Sequence, residues 1–308
     1  MNIAIIGGLG YLGYTLANEL VGDTNKLILI DPDLFGAEIL ENKNLSPIYD
    51  EIYKMSISEF LEKEKVKDID LFVWACDIDI EQFYESAVGA KWAEESLRAF
   101  AKLVGTGKRV VRVKDVNAER YVAGAYGHYL DNLDNVDLLT VETVEIGEMF
   151  GFAPRMRFDT VINRMLFDVL MYEKCVCRDW WKFLNFESVQ TAARNIDLVI
   201  QGKEANESSI TVPPVIAGMI IEELDDKNKN VQVVFDGEAN EAQYSMCAEG
   251  GMSDDFVIEL KMFIRKFIQN LERADFVEDC FSLKYRNKEL VSLLVSAPGF
   301  VKSVAEII

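Results

Sequence analysis

Near its N-terminus the chain reads Ile3-Ala4-Ile5-Ile6-Gly7-Gly8-Leu9-Gly10-Tyr11-Leu12-Gly13, and further on Leu27-Ile28-Leu29-Ile30-Asp31. Ile3 to Ile6 is short and uniformly apolar, the pattern of a parallel strand buried on both faces. Past the glycines, Leu12, Leu16 and Leu20 recur every four residues, so a helix lays one apolar stripe on a neighbour. Gly22 is its stop. Leu27 to Ile30 is a second buried strand, and Asp31 stands at its end. Strand, glycine turn, helix, strand and acid make one βαβ unit.

The glycines have a chemical reason. A phosphate is held by backbone N–H donors, and a side chain on the turn would keep it away. Gly7, Gly10 and Gly13 fit the G-x-x-G-x-x-G form of the dinucleotide-binding turn, with Tyr11 and Leu12 opening a helix whose positive dipole end faces the anion. Asp31 stands close to the spacing expected of the acid that binds the adenosine ribose hydroxyls. A carboxylate there repels a 2′-phosphate, and no arginine lies within Asp31–Gly36, so the expected cofactor is NAD, not NADP.

The alternation continues. The spacing predicts strands over 52–57, 71–75, 109–113 and 136–144. Between them it predicts helices over 58–65, with Ser58 as cap, over 81–104 and over 118–133. Repeated β–α alternation means a parallel sheet with helices on both faces. After Gly151 the pattern is mixed, with helices over 160–174, 188–200, 212–224 and 255–271 and strands over 180–186 and 231–235. There is no internal repeat and no disordered linker. The expected architecture is α/β, a Rossmann-type doubly wound sheet (1–154, NAD-binding) with a smaller mixed substrate domain (155–308) that interleaves with it.

Composition bounds the rest. Three hundred and eight residues suffice for about two domains, and 50% apolar with 27% charged residues is an ordinary globular balance. The 32 basic against 52 acidic residues give a net charge of −20 and no Lys/Arg block, which argues against nucleic-acid and anionic-membrane partners. No apolar run approaches the length of a membrane helix. The N-terminal apolar run lacks a basic leader and is broken by glycines, so it reads as folded structure. Five cysteines make no disulfide framework, and the expected location is the cytoplasm. Cys175 and Cys177 have metal-like spacing, but with His128 the sole histidine and the other cysteines scattered, no metal is expected.

The G-x-x-G-x-x-G turn at the extreme N-terminus resembles that of the extended short-chain dehydrogenase/reductases, among them the NAD-dependent nucleotide-sugar epimerases and dehydratases. Leu71-Phe72-Val73-Trp74-Ala75-Cys76 resembles the family strand that ends in small residues beside the cofactor. Ser86-Ala87-Val88-Gly89-Ala90 resembles the start of the next helix. Gly151-Phe152-Ala153-Pro154-Arg155-Met156-Arg157-Phe158-Asp159, followed by Val161-Ile162-Asn163, resembles the segment that closes over the nucleotide-sugar, and Phe183 to Val189 resembles a stretch of the family's C-terminal half.

The resemblance implies a nucleotide-sugar or similar small polyol as substrate, with Arg155, Arg157, Asn163 and Arg178 as candidate contacts. Gly7, Gly10, Tyr11, Leu12, Gly13, Asp31 and Ala75 are the candidate cofactor contacts. It also implies a homodimer through the helices near 81–104 and 118–133.

The proton-transfer set departs from the family. Family chemistry uses a Tyr-x-x-x-Lys helix and a Ser or Thr at the end of the fifth strand. Here Tyr121, Tyr126 and Tyr129 are followed four residues on by Ala125, Leu130 and Leu133. Lys114-Asp115 occupies the Ser/Thr position. Without a neighbouring cation a tyrosine stays near pKa ~10. Lys114 is the candidate to supply that charge to Tyr121 or Tyr126. Two functions follow: an epimerase or dehydratase with atypical acid/base residues, or a non-catalytic NAD-holding relative that serves as a binding or scaffolding subunit.

Overall fold

In the computed structural model, residues 1–22, 26–33, 49–63, 66–76, 85–117, 124–136, 141–153, 155–178, 180, 182–224, 231–236 and 252–270 are described. The first apolar run forms strand β1 (Asn2–Ile6), the leucine stripe helix α1 (Tyr11–Leu20), and the second run β2 (Lys26–Ile30). β3 (Glu51–Tyr53), β4 (Leu71–Trp74), β5 (Arg109–Asp115) and β6 (Val141–Ile146) complete a six-stranded parallel sheet of order β3-β2-β1-β4-β5-β6. This is the doubly wound order, whose topological switch lies between β1 and β4.

Strand alternation sorts the core into two layers. Ile3, Ile5, Leu27, Leu29, Val73 and Val111 share one apolar cluster with α1 and with α6 (Val189–Ile200) from the second half of the chain. Ala4, Ile6, Ile28, Phe72, Trp74 and Val110 share the other with α2 (Ile57–Lys63), α3 (Ala87–Val104) and α4 (Ala125–Asp134).

Several boundaries differ from expectation for identifiable reasons. The third strand stops at Tyr53, and Ser56 rather than Ser58 caps α2, its Oγ accepting from the Glu59 N–H at 3.2 Å. α3 starts at Ala87 because the Ser86 Oγ accepts from the Gly89 N–H at 3.0 Å; 81–84 lie outside the described residues. α4 starts at Ala125, with 118–123 outside them. Val136 is not a strand residue: its N–H closes the end of α4 on the Leu133 carbonyl.

The second half adds β7 (Glu148–Phe150), α5 (Val161–Tyr172), β8 (Lys174–Arg178), β9 (Leu184–Ser188), β10 (Ser209–Thr211), α7 (Pro213–Leu224), β11 (Gln232–Asp236) and α8 (Asp254–Asn270). β10, β9 and β7 form one small sheet and β11 with β8 another. α5 ends at Tyr172 because Glu173 turns left-handed, φ 53°. The strand expected over 180–186 falls at Leu184–Ser188, ending where Ser188 caps α6 through the Thr191 N–H at 3.0 Å. Among the described residues no helix is long and apolar enough to cross a membrane.

Candidate functional site

The glycine turn leaves β1 at the carboxyl edge of the sheet, beside the switch point. The Gly7 N–H donates to the Ile30 carbonyl at 2.9 Å, and the Ala75 N–H donates to the Ile6 carbonyl at 3.0 Å, so the turn lies between the ends of β2 and β4. Gly7 has φ +80°, and a Cβ there would stand 2.5 Å from the Ala75 carbonyl oxygen. Only glycine fits both restraints. At Gly13 a Cβ would stand 2.1 Å from the Gly7 carbonyl oxygen, so its absence lets α1 pack on the turn.

Asp31 is bound to this turn. Its Oδ2 accepts from the Leu9 N–H at 3.1 Å and its Oδ1 from the Asp33 N–H at 2.8 Å. Burial pushes the Asp31 carboxyl above the ordinary aspartate value; these two bonds and the nearby Arg155 charge oppose the rise.

A cavity of about 230 Å3 opens over the turn. Gly7, Gly10, Tyr11, Leu12, Asp31 and Ala75 all line it. Gly13 supports them from behind. Pro32, Asp33 and the Met55–Ser58 segment wall one end; Val113, Asp115, Tyr126 and the Ile146–Met149 segment wall the other. Arg155, Arg157 and Thr160 bring the second half of the chain to the same space. The donor chemistry fits a dinucleotide: the first-turn N–H groups at the N-terminus of α1 for phosphate, a carboxylate for ribose hydroxyls.

The remaining candidates are distributed unevenly. Tyr126 is 1% exposed and lines the cavity. Tyr121 lies outside the described residues. Lys114 points to the opposite face of the sheet, where its Nζ donates to Asp134 Oδ2 at 2.9 Å beside the buried Arg112. The cause is strand parity: β5 runs on to Asp115, so Val113 and Asp115 face the cavity while Arg112 and Lys114 face α4. Asp134 holds both cations, and they hold its carboxyl below the ordinary aspartate range against the opposing effect of burial.

Arg157 is paired with Asp159, Nε to Oδ1 at 3.0 Å and Nη2 to Oδ2 at 3.2 Å. Asn163 is fully buried. Its Oδ1 accepts from the Gly151 N–H at 3.2 Å, and its Nδ2 donates to the Arg157 carbonyl at 2.7 Å and to the Tyr11 hydroxyl at 3.4 Å. Arg178 lies away from the cavity on β8, with its side chain 80% exposed and Asp236 at 4.0 Å. Sequence reasoning did not single out Glu148, a buried cavity carboxylate whose Oε1 accepts from the Val161 N–H at 3.0 Å. Nor did it single out Asp33.

Comparison with solved structures agrees with the fold. A UDP-N-acetylglucosamine 4-epimerase from Methanobrevibacter ruminantium, in complex with UDP-N-acetylmuramic acid, superposes with TM-score 0.65 at 17% identity, over 87% of this chain and 98% of that one. A dTDP-glucose 4,6-dehydratase from Streptomyces venezuelae with NAD bound gives 0.64 at 16% identity, over 88% and 98%. What the chain shares with these proteins is the fold, a Rossmann-type α/β sheet with a second half packed beside it. The Bordetella bronchiseptica enzyme WbmF, in complex with NAD+ and UDP, matches with TM-score 0.62 at 13% identity, over 94% of this chain and 97% of that one. No protein-family model and no curated protein matches the sequence.

Proposed function

We propose that this protein binds NAD over the Gly7–Gly13 turn and acts on a nucleotide-sugar as an epimerase- or dehydratase-type enzyme with an atypical acid/base set. One observation carries the reading: the glycine turn, Asp31 and Ala75 wall a single cavity at the switch point between β1 and β4. The N–H groups of Gly7, Gly8, Leu9 and Gly10 are taken up in shaping the turn, so the first-turn N–H groups of α1, at Tyr11 and Leu12, would hold the pyrophosphate, and Asp31 would accept from the adenosine ribose hydroxyls. When bound, NAD supplies a hydride acceptor. Tyr126 and Asp115, at the other end of the cavity, are the groups that hold or move a proton on the sugar; Arg155 is the cation for its diphosphate.

A second reading, a non-catalytic NAD-holding relative, is favoured by one observation. The ammonium of Lys114, which would activate a tyrosine, is spent on Asp134. Thermal-shift titration separates the readings. A ligand that binds only the folded state raises the melting temperature by mass action. Stabilisation by NAD and by one UDP-, dTDP- or GDP-sugar supports the enzyme, with Asp115→Asn and Tyr126→Phe as the activity tests. Stabilisation by NAD alone supports the second reading, and by neither overturns both.

A further inference from the structure

The two halves of the chain meet at one buried polar junction. Tyr11 is the first residue of α1, directly after Gly10. Its ring is 5% exposed, and its hydroxyl donates to the Gly151 carbonyl at 2.5 Å. Gly151 adopts φ +116°, and its N–H is taken by Asn163 Oδ1. The Asn163 amide also bonds the Tyr11 hydroxyl and the Arg157 carbonyl. The hydroxyl is therefore tied to both ends of segment 151–163, the segment that carries Arg155 and Arg157 into the cavity. Phe152 is held from elsewhere: Gln190 Nε2 donates to its carbonyl, and its ring packs on Phe263 and Phe267 beneath the Lys266 ammonium. Tyr11 thus has its backbone at the helix start that faces the cavity and its hydroxyl on Gly151 and Asn163 of the second half.

We propose that Tyr11 is a positioning residue that couples occupancy of the glycine turn to segment 151–163, so that dinucleotide binding orders the arginine-bearing wall of the second ligand's site. A ligand on the turn restrains the start of α1, and the Tyr11 hydroxyl passes that restraint to Gly151 and Asn163. A buried aromatic ring has one rotamer available, so the hydroxyl cannot compensate by moving. The coupling is reciprocal: whatever orders 151–163 must tighten NAD. The inference rests on NAD being the ligand of the turn.

The test is amide hydrogen exchange of the full chain, with NAD as the probe. In wild-type protein, saturating NAD should slow exchange across 151–163 as well as across the turn. Tyr11→Phe keeps the ring and removes only the hydroxyl. It should bind NAD and protect the turn, but the protection of 151–163 should fall by roughly 2–10-fold, the size of one hydrogen bond. A merely structural role would loosen 151–163 equally with and without NAD, leaving the NAD-dependent difference unchanged, and that result overturns the proposal. The wild-type arm decides on its own should the variant fold poorly: protection of the turn without protection of 151–163 also overturns it. Absence of NAD binding to wild type removes the functional reading and this inference together; binding without transmitted protection removes the inference alone.

Discussion

Burial makes the Asp31 carboxylate at the end of β2 costly to keep ionised, and the two backbone N–H bonds that it accepts offset part of that cost. The expense has a use where the partner is a pair of ribose hydroxyls, because hydrogen bonds to a charged group are worth about 1.5–3 kcal/mol each. Asp31→Asn keeps the shape and one acceptor and loses the charge. NAD affinity measured by calorimetry should fall roughly 10–100-fold, and the preference over NADP should shrink because the repulsion of a 2′-phosphate is gone. Unchanged affinity would place the ribose elsewhere. Asp31 and the glycines were legible in the sequence because their reasons are local: a turn, a spacing, a strand end. The Tyr11 hydroxyl was not, since its partner Gly151 lies in the other half of the chain and no periodicity reports such a contact. Lys114 shows a subtler limit. Reading β5 as ending at Val113 left the next two residues interchangeable, whereas two more residues of strand fix Asp115 toward the cavity and Lys114 away from it.

Elements that carry the cavity floor depend on a second buried acid. Glu187 on β9 is 3% exposed, with Gly147 donating its N–H to Oε1 at 2.5 Å and Asn195 donating to Oε2 at 3.1 Å. Burial pushes its pKa up to about 7, with Glu259 adding to the rise and the two hydrogen bonds opposing it. The folded state therefore holds this proton more tightly than the unfolded chain does. The stabilisation is complete below the ordinary glutamate value of 4.5 and is lost as pH rises through about 7. At about 1.4 kcal/mol per tenfold, the full change is about 3 kcal/mol. Denaturant unfolding at pH 5 and pH 8 should show Glu187→Gln gaining on wild type by about 2–3 kcal/mol at the higher pH. A constant difference would mean that Glu187 does not titrate in this range. β9 was displaced in the sequence reading, and β7, β8 and β10 were missed altogether. Strands of three to five residues in small sheets carry too short a pattern to separate from loop, and Lys174–Arg178 alternates exposed and buried positions around two cysteines.

At the scale of the whole molecule, α1 is more deeply buried than a surface helix should be: every residue except Asn18 and Glu19 is buried. A helix buried nearly all round needs a neighbour on each side. The sheet supplies one, and α6, from beyond residue 154, supplies the other, through Ala192, Ala193 and Ile196 in the same apolar cluster as Leu16 and Ala17. The N-terminal half thus borrows part of its core from the second half. Val189, Ile196 and Ile200 of α6 are each at most 5% exposed. At about 1.5–3 kcal/mol per buried side chain, these three contribute about 4.5–9 kcal/mol of gross burial energy, large beside the net ~5–15 kcal/mol that separates a folded domain from its unfolded chain. A fragment of residues 1–154 should therefore lack a cooperative thermal transition in the near-ultraviolet circular dichroism and should bind a hydrophobic dye strongly, whereas the full chain should melt in one step. A fragment that melts sharply at the full chain's temperature would show that the sheet and α1 are self-sufficient, and that α6 merely covers a surface already stable without it.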